Sequence, residues 1–405
     1  MTARTILVIG GGPAGTFAAI SAKKHDPAAA VSLLTREACE PYEKPPLSKA
    51  VLLGRVAPED ALIAGPGGVA GHDVVLEMRA DCSAIDRDNR AVVLADGRRM
   101  RFDALVLATG SAPREIPQLP VGMPRVHYLR TDADARSLKA ALRDSRTLLV
   151  IGGGLIGLEV AASAAMLGVK VTVVEVAPRI LMRVCDERTG AAVHDAHVRH
   201  EVDIRVSTAL AAASLVRDDR IEVVTTLGER FAASLVVVGT GSKPDTRLGE
   251  AAGLAVDDGI VVDAQCRTTD PTILAAGDCA RFPGPGGLAR LENWIHAQDQ
   301  GIIAGRNAAG ATDTYSAVPS FWSEQYDLYI QGVGWPVADS TRVHRMLDSD
   351  RLLVFDVKEG RLAYAMGINA RRDLAVARRL IERRVPIDLP ALADPGRPLA
   401  ALSKR

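Results

Sequence analysis

The sequence predicts an α/β chain with two doubly wound halves and a smaller α+β domain after them, on three observations. One glycine turn occurs twice, as Gly10-Gly11-Gly12-Pro13-Ala14-Gly15 and as Gly152-Gly153-Gly154-Leu155-Ile156-Gly157. Each copy follows an apolar run, Thr5-Ile6-Leu7-Val8-Ile9 or Thr147-Leu148-Leu149-Val150-Ile151, and leads into an alanine-rich helical pattern. From about Pro319 the texture changes to aromatic alternation (Phe321, Trp322, Tyr326, Tyr329), then hairpin-like runs, then a helical pattern from Asp373 to Arg384. Short apolar runs of this kind read as buried parallel strands, and alternation reads as antiparallel sheet.

Each half is then built in the same order. Residues 3–37 read as strand, glycine turn, helix and a second strand, Ala30-Val31-Ser32-Leu33-Leu34, and residues 147–175 repeat this with Lys170-Val171-Thr172-Val173-Val174. Alternating stretches broken by turn signals follow: Ala91-Val92-Val93-Leu94 before Asp96-Gly97, and Ile221-Glu222-Val223-Val224 before Gly228. Both halves close on a further buried run, from Ala104 through Ala108-Thr109-Gly110 and from Ser234 to Gly241. One strand, Thr272 to Asp278, belongs to neither half by order. Ligands of open α/β sheets lie at the carboxyl ends of strands, so Asp278 is expected to meet one.

The glycine turn has a chemical meaning in this setting. Its first glycine permits a tight turn, the second lets the backbone approach a pyrophosphate, and the third lets helix and strand pack closely, with phosphate at the helix N-terminus. A single GxGxxG is weak evidence; two copies, each correctly flanked, imply two bound dinucleotides and electrons passing between them.

Composition narrows the class. The chain has 405 residues, enough for two or three domains, and 49 basic against 49 acidic residues give no overall field that would favour nucleic acid or membrane. No signal-like segment and no apolar stretch of about 18 residues is present, so a soluble cytoplasmic protein is expected. Cys39, Cys82, Cys185, Cys266 and Cys279 form no CxxC pair and no metal-finger spacing, which argues against paired-cysteine disulfide chemistry and leaves Cys39, after the second strand, as the one to watch. His194, His197 and His200 spread over about 120° of a helix and read as a solvated face, so no metal site is expected.

The two glycine turns, the run Pro41-Tyr42-Glu43-Lys44-Pro45-Pro46-Leu47-Ser48-Lys49, Ala108-Thr109-Gly110, Ala276-Gly277-Asp278, Glu292-Asn293-Trp294 and Phe321-Trp322-Ser323-Glu324-Gln325-Tyr326 together resemble one family. This is the FAD-dependent, NADH-oxidising ferredoxin reductases that serve Rieske-type dioxygenases and cytochrome monooxygenases. The resemblance implies a glutathione-reductase-like fold of two Rossmann-like dinucleotide-binding domains. A discontinuous FAD-binding domain (1–113 and 242–318) would enclose an NAD-binding domain (114–241), with a C-terminal α+β domain (319–405) covering the flavin. That arrangement accounts for the strand ending at Asp278.

It also implies the site. FAD would be held by Gly10, Gly12, Pro13, Ala14, Gly15, Lys44, Pro45, Ala108, Thr109 and Gly110, with Asp278 on the ribityl chain and Trp294 opening a helix near the pyrimidine edge. Lys49 would lie near the flavin ring, paired with Glu159, and Trp322 would cover it; these three are the expected catalytic group. NAD would be held by Gly152, Gly154, Leu155, Ile156, Gly157, Glu159 and Gly241. Glu175 closes the second strand of the second half, where an acid accepts from a ribose 2′-hydroxyl and repels a 2′-phosphate, which predicts NADH over NADPH, softened by Arg179. The first half ends Thr35-Arg36-Glu37 instead, so Glu37 is the candidate for the FAD ribose, and Lys44 replaces the family's more usual arginine.

The expected activity is transfer of electrons from NADH through FAD to a small iron–sulfur ferredoxin, of two-iron type, that feeds a terminal oxygenase. Arg372, Arg379 and Arg383, within about 40° on the terminal helix with Arg371 and Arg378 beside them and opposite Leu374, Ala377 and Ile381, read either as a charged solvent face or as a dock for that acidic partner. Two competing readings share the fold: an NADH oxidase or disulfide reductase acting through Cys39, and a redox-sensing protein that holds FAD and NADH and signals through a partner.

Overall fold

The computed structural model describes residues 3–216 and 220–404. In its N-terminal part β1 (Thr5–Ile9), α1 (Pro13–His25), β2 (Ala30–Leu34), β3 (Val75–Glu77) and β4 (Ala104–Leu107) follow one another. Next come β5 (Val126–His127), α2 (Asp132–Arg143), β6 (Thr147–Ile151), α3 (Leu155–Met166), β7 (Lys170–Val174), α4 (Glu187–Arg199), β8 (Asp203–Arg205) and β9 (Leu235–Val238). The chain continues through β10 (Ile273–Ala275) and α5 (Trp294–Ala308) to β11 (Ser320–Gln325), β12 (Leu328–Gly334), β13 (Thr341–Met346), β14 (Leu352–Lys358), β15 (Arg361–Ile368) and α6 (Arg371–Glu382).

These elements gather into two compact units, one of residues 1–45, 56–112 and 242–317, the other of residues 46–55, 113–241 and 318–405. The Pro46–Arg55 segment, grouped by sequence order with the first half, thus packs with the second unit.

In the first unit a parallel sheet runs β10-β4-β1-β2-β3. Ile9 is level with Leu34 on one side and Leu107 on the other, and Leu107 with Ala275, so four strands bring their carboxyl ends to one edge. The strand without a home in sequence order, β10, is therefore an edge strand of the first sheet. Proline at the first helical position presets α1 immediately after the turn. Backbone contact holds α1 in place: a Cβ on Gly15 would lie 1.8 Å from the carbonyl oxygen of Gly10. On the other side, Cβ atoms on Gly301 and Gly305 of α5 would lie 2.3 and 2.0 Å from the carbonyl oxygens of Ala14 and Ala18. The run expected to continue through Gly110 stops pairing in the parallel sheet at Leu107, and Gly110, at φ +72°, turns the chain away.

The second unit repeats the plan with a parallel sheet in the order β8-β7-β6-β9-β5. Ile151 is level with Val174 and Val238, the same registration as in the first sheet. Alanines and leucines make α3 buried on most of its circumference, which is what a helix packed on two sides requires. A five-stranded antiparallel sheet, β11-β12-β15-β14-β13, follows. Leu158 and Val160 of α3 share a core with Ile330 and Met366 of that sheet. Helix α6 lies over a second core around Phe355 and Leu353 and starts at Arg371, two residues before the expected Asp373. Its buried residues are Leu374, Ala377 and Leu380, with Ile381 at the margin. Among the described residues no helix is long and apolar enough to cross a membrane.

Candidate active site

The two glycine turns are geometrically alike. Gly10 N–H donates to Leu34 O and Gly152 N–H to Val174 O, both at 2.8 Å, so each turn is tied to the end of the neighbouring strand. Gly12 and Gly154 are the N-cap residues of α1 and α3, and neither helix has a side-chain cap. A Cβ on Gly12 or Gly154 would meet nothing within 4 Å. Two helix N-termini therefore present first-turn N–H groups and the positive end of the helix dipole to open ground, which is a site for an anionic diphosphate.

Around the first turn the same unit assembles several of the expected residues. The Asp278 turn follows β10, and a Cβ on Gly277 would meet the Ala14 methyl at 2.7 Å, so this turn abuts the start of α1. Asp278 Oδ2 accepts from Ser111 Oγ at 2.8 Å, and Gly277 N–H donates to Gln300 Oε1 at 2.8 Å. The Asp278 carboxylate is thus held by Ser111, and its turn is tied to α5 through Gln300. A Cβ on Gly10 would lie 2.0 Å from Ala108 O, and Thr109 Oγ1 donates to Asp245 O at 2.6 Å. Glu37 accepts from the Tyr42 hydroxyl and from Lys44 Nζ at 3.0 Å, with the ammonium 4.8 Å from the Tyr42 ring centroid. Trp294 opens α5 behind an Asn293 side chain that caps His296 N–H at 2.9 Å. Its ring stands edge-on to Phe17 and lies beside Glu43, whose carboxyl is pushed up by burial and partly brought back by the nearby indole.

In the second unit Glu175 Oε2 accepts Gly153 N–H at 2.6 Å and Oε1 accepts Ala177 N–H at 2.7 Å. Glu175 both clamps the second glycine turn and keeps lone pairs for further donors. Arg179 donates to the carbonyls of Ile180, Met182 and Cys185, so its guanidinium is engaged with its own loop. Thr35 holds the matching place in the first unit, with Oγ1 accepting Glu37 N–H at 3.2 Å.

Lys49 and Glu159 meet as an ion pair, Nζ to Oε2 at 3.0 Å, with Glu159 only 3% exposed. Glu159 also accepts from Ser48 Oγ and from Ser323 Oγ, the latter at 2.6 Å. A buried carboxylate with an ammonium and two hydroxyl donors is a fixed negative charge, and the ammonium is in turn held in one place. Trp322 is half-buried on β11 and alternates with Ser323, so its side chain leaves the opposite face of the strand.

Sequence reading missed Ser48, Ser323, Gln325 and His197. A signal for two of them existed: Ser323 and Gln325 are polar residues two apart in a strand, hence on one face, and both are buried. The solvated-face reading of the α4 histidines is corrected at His197, which is 0% exposed and bonded to Gln325 Oε1 at 2.9 Å. Packing of α4 against the C-terminal sheet, invisible in helical periodicity alone, buries it. No cluster of three metal-ligating side chains occurs among the described residues.

Comparison with known proteins decides the family. The family model "Pyridine nucleotide-disulphide oxidoreductase" matches residues 4–301, and "Reductase C-terminal" matches residues 320–403. The chain belongs to the pyridine nucleotide-disulphide oxidoreductases. It is 37% identical over 393 residues to the rhodocoxin reductase of Rhodococcus erythropolis, covering 96% of this chain and 92% of that protein. It is 38% identical over 401 residues to the anthranilate 1,2-dioxygenase system ferredoxin–NAD(+) reductase component of Burkholderia cepacia, covering 98% of each. The crystal structure of the covalent putidaredoxin reductase–putidaredoxin complex superposes with a TM-score of 0.93 at 32% identity, covering 99% of this chain and 98% of that one.

Membership of the pyridine nucleotide-disulphide oxidoreductases implies FAD and NADH, and the residues fit both. Each uncapped glycine-turn helix offers N–H donors to a diphosphate, and Asp278, Glu37 and Glu175 offer carboxylate acceptors suited to neutral hydroxyls. Four of the five thiols do not suit the disulphide chemistry in the family's description. Burial pushes Cys82 up to about 12 and Cys185 up to about 11, and raises Cys266 and Cys279 as well, so these four are not thiolates at neutral pH.

Proposed function

We propose that the chain is the NADH-oxidising ferredoxin reductase component of an oxygenase system. The observation that carries this reading is the doubled, uncapped glycine-turn helix, one copy closed by Glu175 and the other accompanied by Asp278, within a chain whose full-length relatives are named as ferredoxin reductases. FAD, when bound, accepts a hydride and gives up electrons one at a time. This chain's residues supply placement and charge. Gly10, Gly12, Pro13, Ala14 and Gly15 with Lys44, Pro45, Ala108, Thr109, Gly110 and Trp294 hold the FAD, while Glu37 and Asp278 accept from its hydroxyls. Gly152, Gly154, Leu155, Ile156, Gly157 and Gly241 hold NADH, and Glu175 selects it by repelling a 2′-phosphate. Lys49, held in place beside Glu159, offers positive charge where negative charge arrives, and Trp322 covers the ring.

The electron acceptor is an acidic two-iron ferredoxin that feeds a terminal oxygenase, and the exposed arginines of α6 receive it. The cytoplasm, where NADH is regenerated, is the compartment this activity requires. Anaerobic stopped-flow tests the whole reading: NADH should bleach the flavin, and mixing with ferredoxins encoded beside the gene should restore its absorbance within a turnover. Reduced protein that reoxidises slowly with every such ferredoxin would favour the sensor reading instead. Loss of NADH–ferricyanide turnover in Cys39→Ser would favour the oxidase.

A further inference from the structure

A continuous hydrogen-bond chain runs through the interior of the second unit to Glu159, crossing three elements. From Glu159 on α3 it passes to Ser323 and Gln325 on β11, then to His197 on α4, and ends at Tyr326 in the turn between β11 and β12. The separations are 2.6, 3.1, 2.9 and 3.2 Å in that order. Glu159, Ser323, Gln325 and His197 are all at most 3% exposed, so bulk water does not compete for these bonds.

The direction of every bond follows from the first. Glu159, paired with Lys49, is an acceptor only, so Ser323 must donate its single hydrogen to it. Ser323 Oγ then accepts from Gln325 Nε2, which turns the amide oxygen of Gln325 toward His197 and requires a hydrogen on His197 Nε2. Burial pushes His197 down to about 4, so the ring is neutral and Nδ1 is left as the acceptor for the Tyr326 hydroxyl. All four donors point toward Glu159. The far end is fixed as well: Tyr326, at φ +56°, stacks on His200 with ring centroids 3.7 Å apart. A bulky side chain held in the left-handed region is retained only where its surroundings over-determine it.

We propose that Ser323, Gln325 and His197 are positioning residues that hold Glu159 in one orientation as a fixed anion, and through it hold the Lys49 ammonium. The amide of Gln325 makes the chain a clamp and not a proton conduit, because an amide passes a hydrogen bond on without giving up its own proton. The consequence for electron transfer rests on the reading of Lys49 given above; the state of the chain itself does not.

Two measurements separate these. In holoprotein labelled with 15N-histidine, His197 at pH 7 should be the neutral Nε2–H tautomer. Ser323→Ala, which frees the Gln325 amide to flip, should introduce the Nδ1–H tautomer. In single-turnover reduction by NADH, His197→Leu and Ser323→Ala should each lower the limiting rate constant about fivefold, the scale of one hydrogen bond, with the apparent NADH affinity unchanged. His197→Gln, which keeps a donor for Gln325, should restore the rate. An Nδ1–H tautomer in the wild type, or no tautomer response to Ser323→Ala, overturns the proposal. So does an unchanged rate in both His197→Leu and Ser323→Ala while Lys49→Met is slowed. If Lys49→Met is also silent, the reading of Lys49 fails while the tautomer response still supports the clamp on Glu159.

Discussion

The ammonium of Lys49 lies 3.0 Å from Oε2 of Glu159, one residue in the segment after Pro46 and the other on the helix of the second glycine turn. Lys49 is 17% exposed and Glu159 3%, so neither charge has much water to fall back on. Glu159→Leu leaves a largely buried ammonium and two hydroxyl donors without their acceptor. A stability loss of about 3–5 kcal/mol in urea unfolding of the holoprotein is expected, and a smaller loss for Glu159→Gln, which removes the countercharge but keeps an acceptor for the hydroxyl donors.

Glu175 clamps the second glycine turn, and under the proposed function it also selects the cofactor, so its substitution should show both effects. Glu175→Ala removes the acceptor for Gly153 N–H and Ala177 N–H, so the KM for both nicotinamide cofactors should rise. It also removes the charge that opposes a 2′-phosphate, so the NADH:NADPH ratio of kcat/KM should fall by about tenfold or more. A wild type that favours NADPH would reject the assignment.

Acid should destabilise the protein in a defined window. Burial lowers both His197 and His296 from 6.5 to about 4. Between those values the unfolded chain binds protons that the folded chain refuses, so stability is complete above about pH 6.5 and falls as pH drops toward 4. The two rings together account for up to about 6 kcal/mol of that loss, about 3 each. Denaturant midpoints measured across this range should show the slope, and His197→Gln should reduce it.

Arg372 and Arg379 are exposed on α6 and Arg383 is exposed at its C-cap, whereas Arg371 lies 3.4 Å from the Tyr329 ring centroid and Arg378 pairs with Glu382 at 2.9 Å. Reversing Arg379 and Arg383 to Glu should slow ferredoxin reduction about tenfold at low salt, less at high salt, and leave ferricyanide reduction unchanged. Equal effects on both acceptors would remove α6 from the docking surface.

What the sequence carried and what it withheld divide along physical lines. Strands Ala30–Leu34 and Lys170–Val174 were legible because apolar runs bounded by turn residues have one stable place, inside a parallel sheet. Asp278 and Glu175 were legible because position at a strand's carboxyl end fixes where a side chain emerges. The burial of His197 and the ring of donors on Glu159 were not, since they depend on α3, α4 and β11 meeting, which no local period encodes. The Arg179 loop contacts were hidden for the same reason.

The contact of α5 with α1 through Gly301 and Gly305 bears on biosynthesis. The helix whose N-terminus stands at the first glycine turn is braced by residues almost three hundred positions later, and β10, which completes its sheet, is hardly nearer. A ribosome releases the whole β6-to-β9 half before either brace exists. Both dinucleotide helices therefore wait for late residues: a nascent chain arrested before Gly301 would hold the complete β6-to-β9 half, yet α1 would still lack α5 and α3 would still lack the β11-to-β15 sheet that covers it.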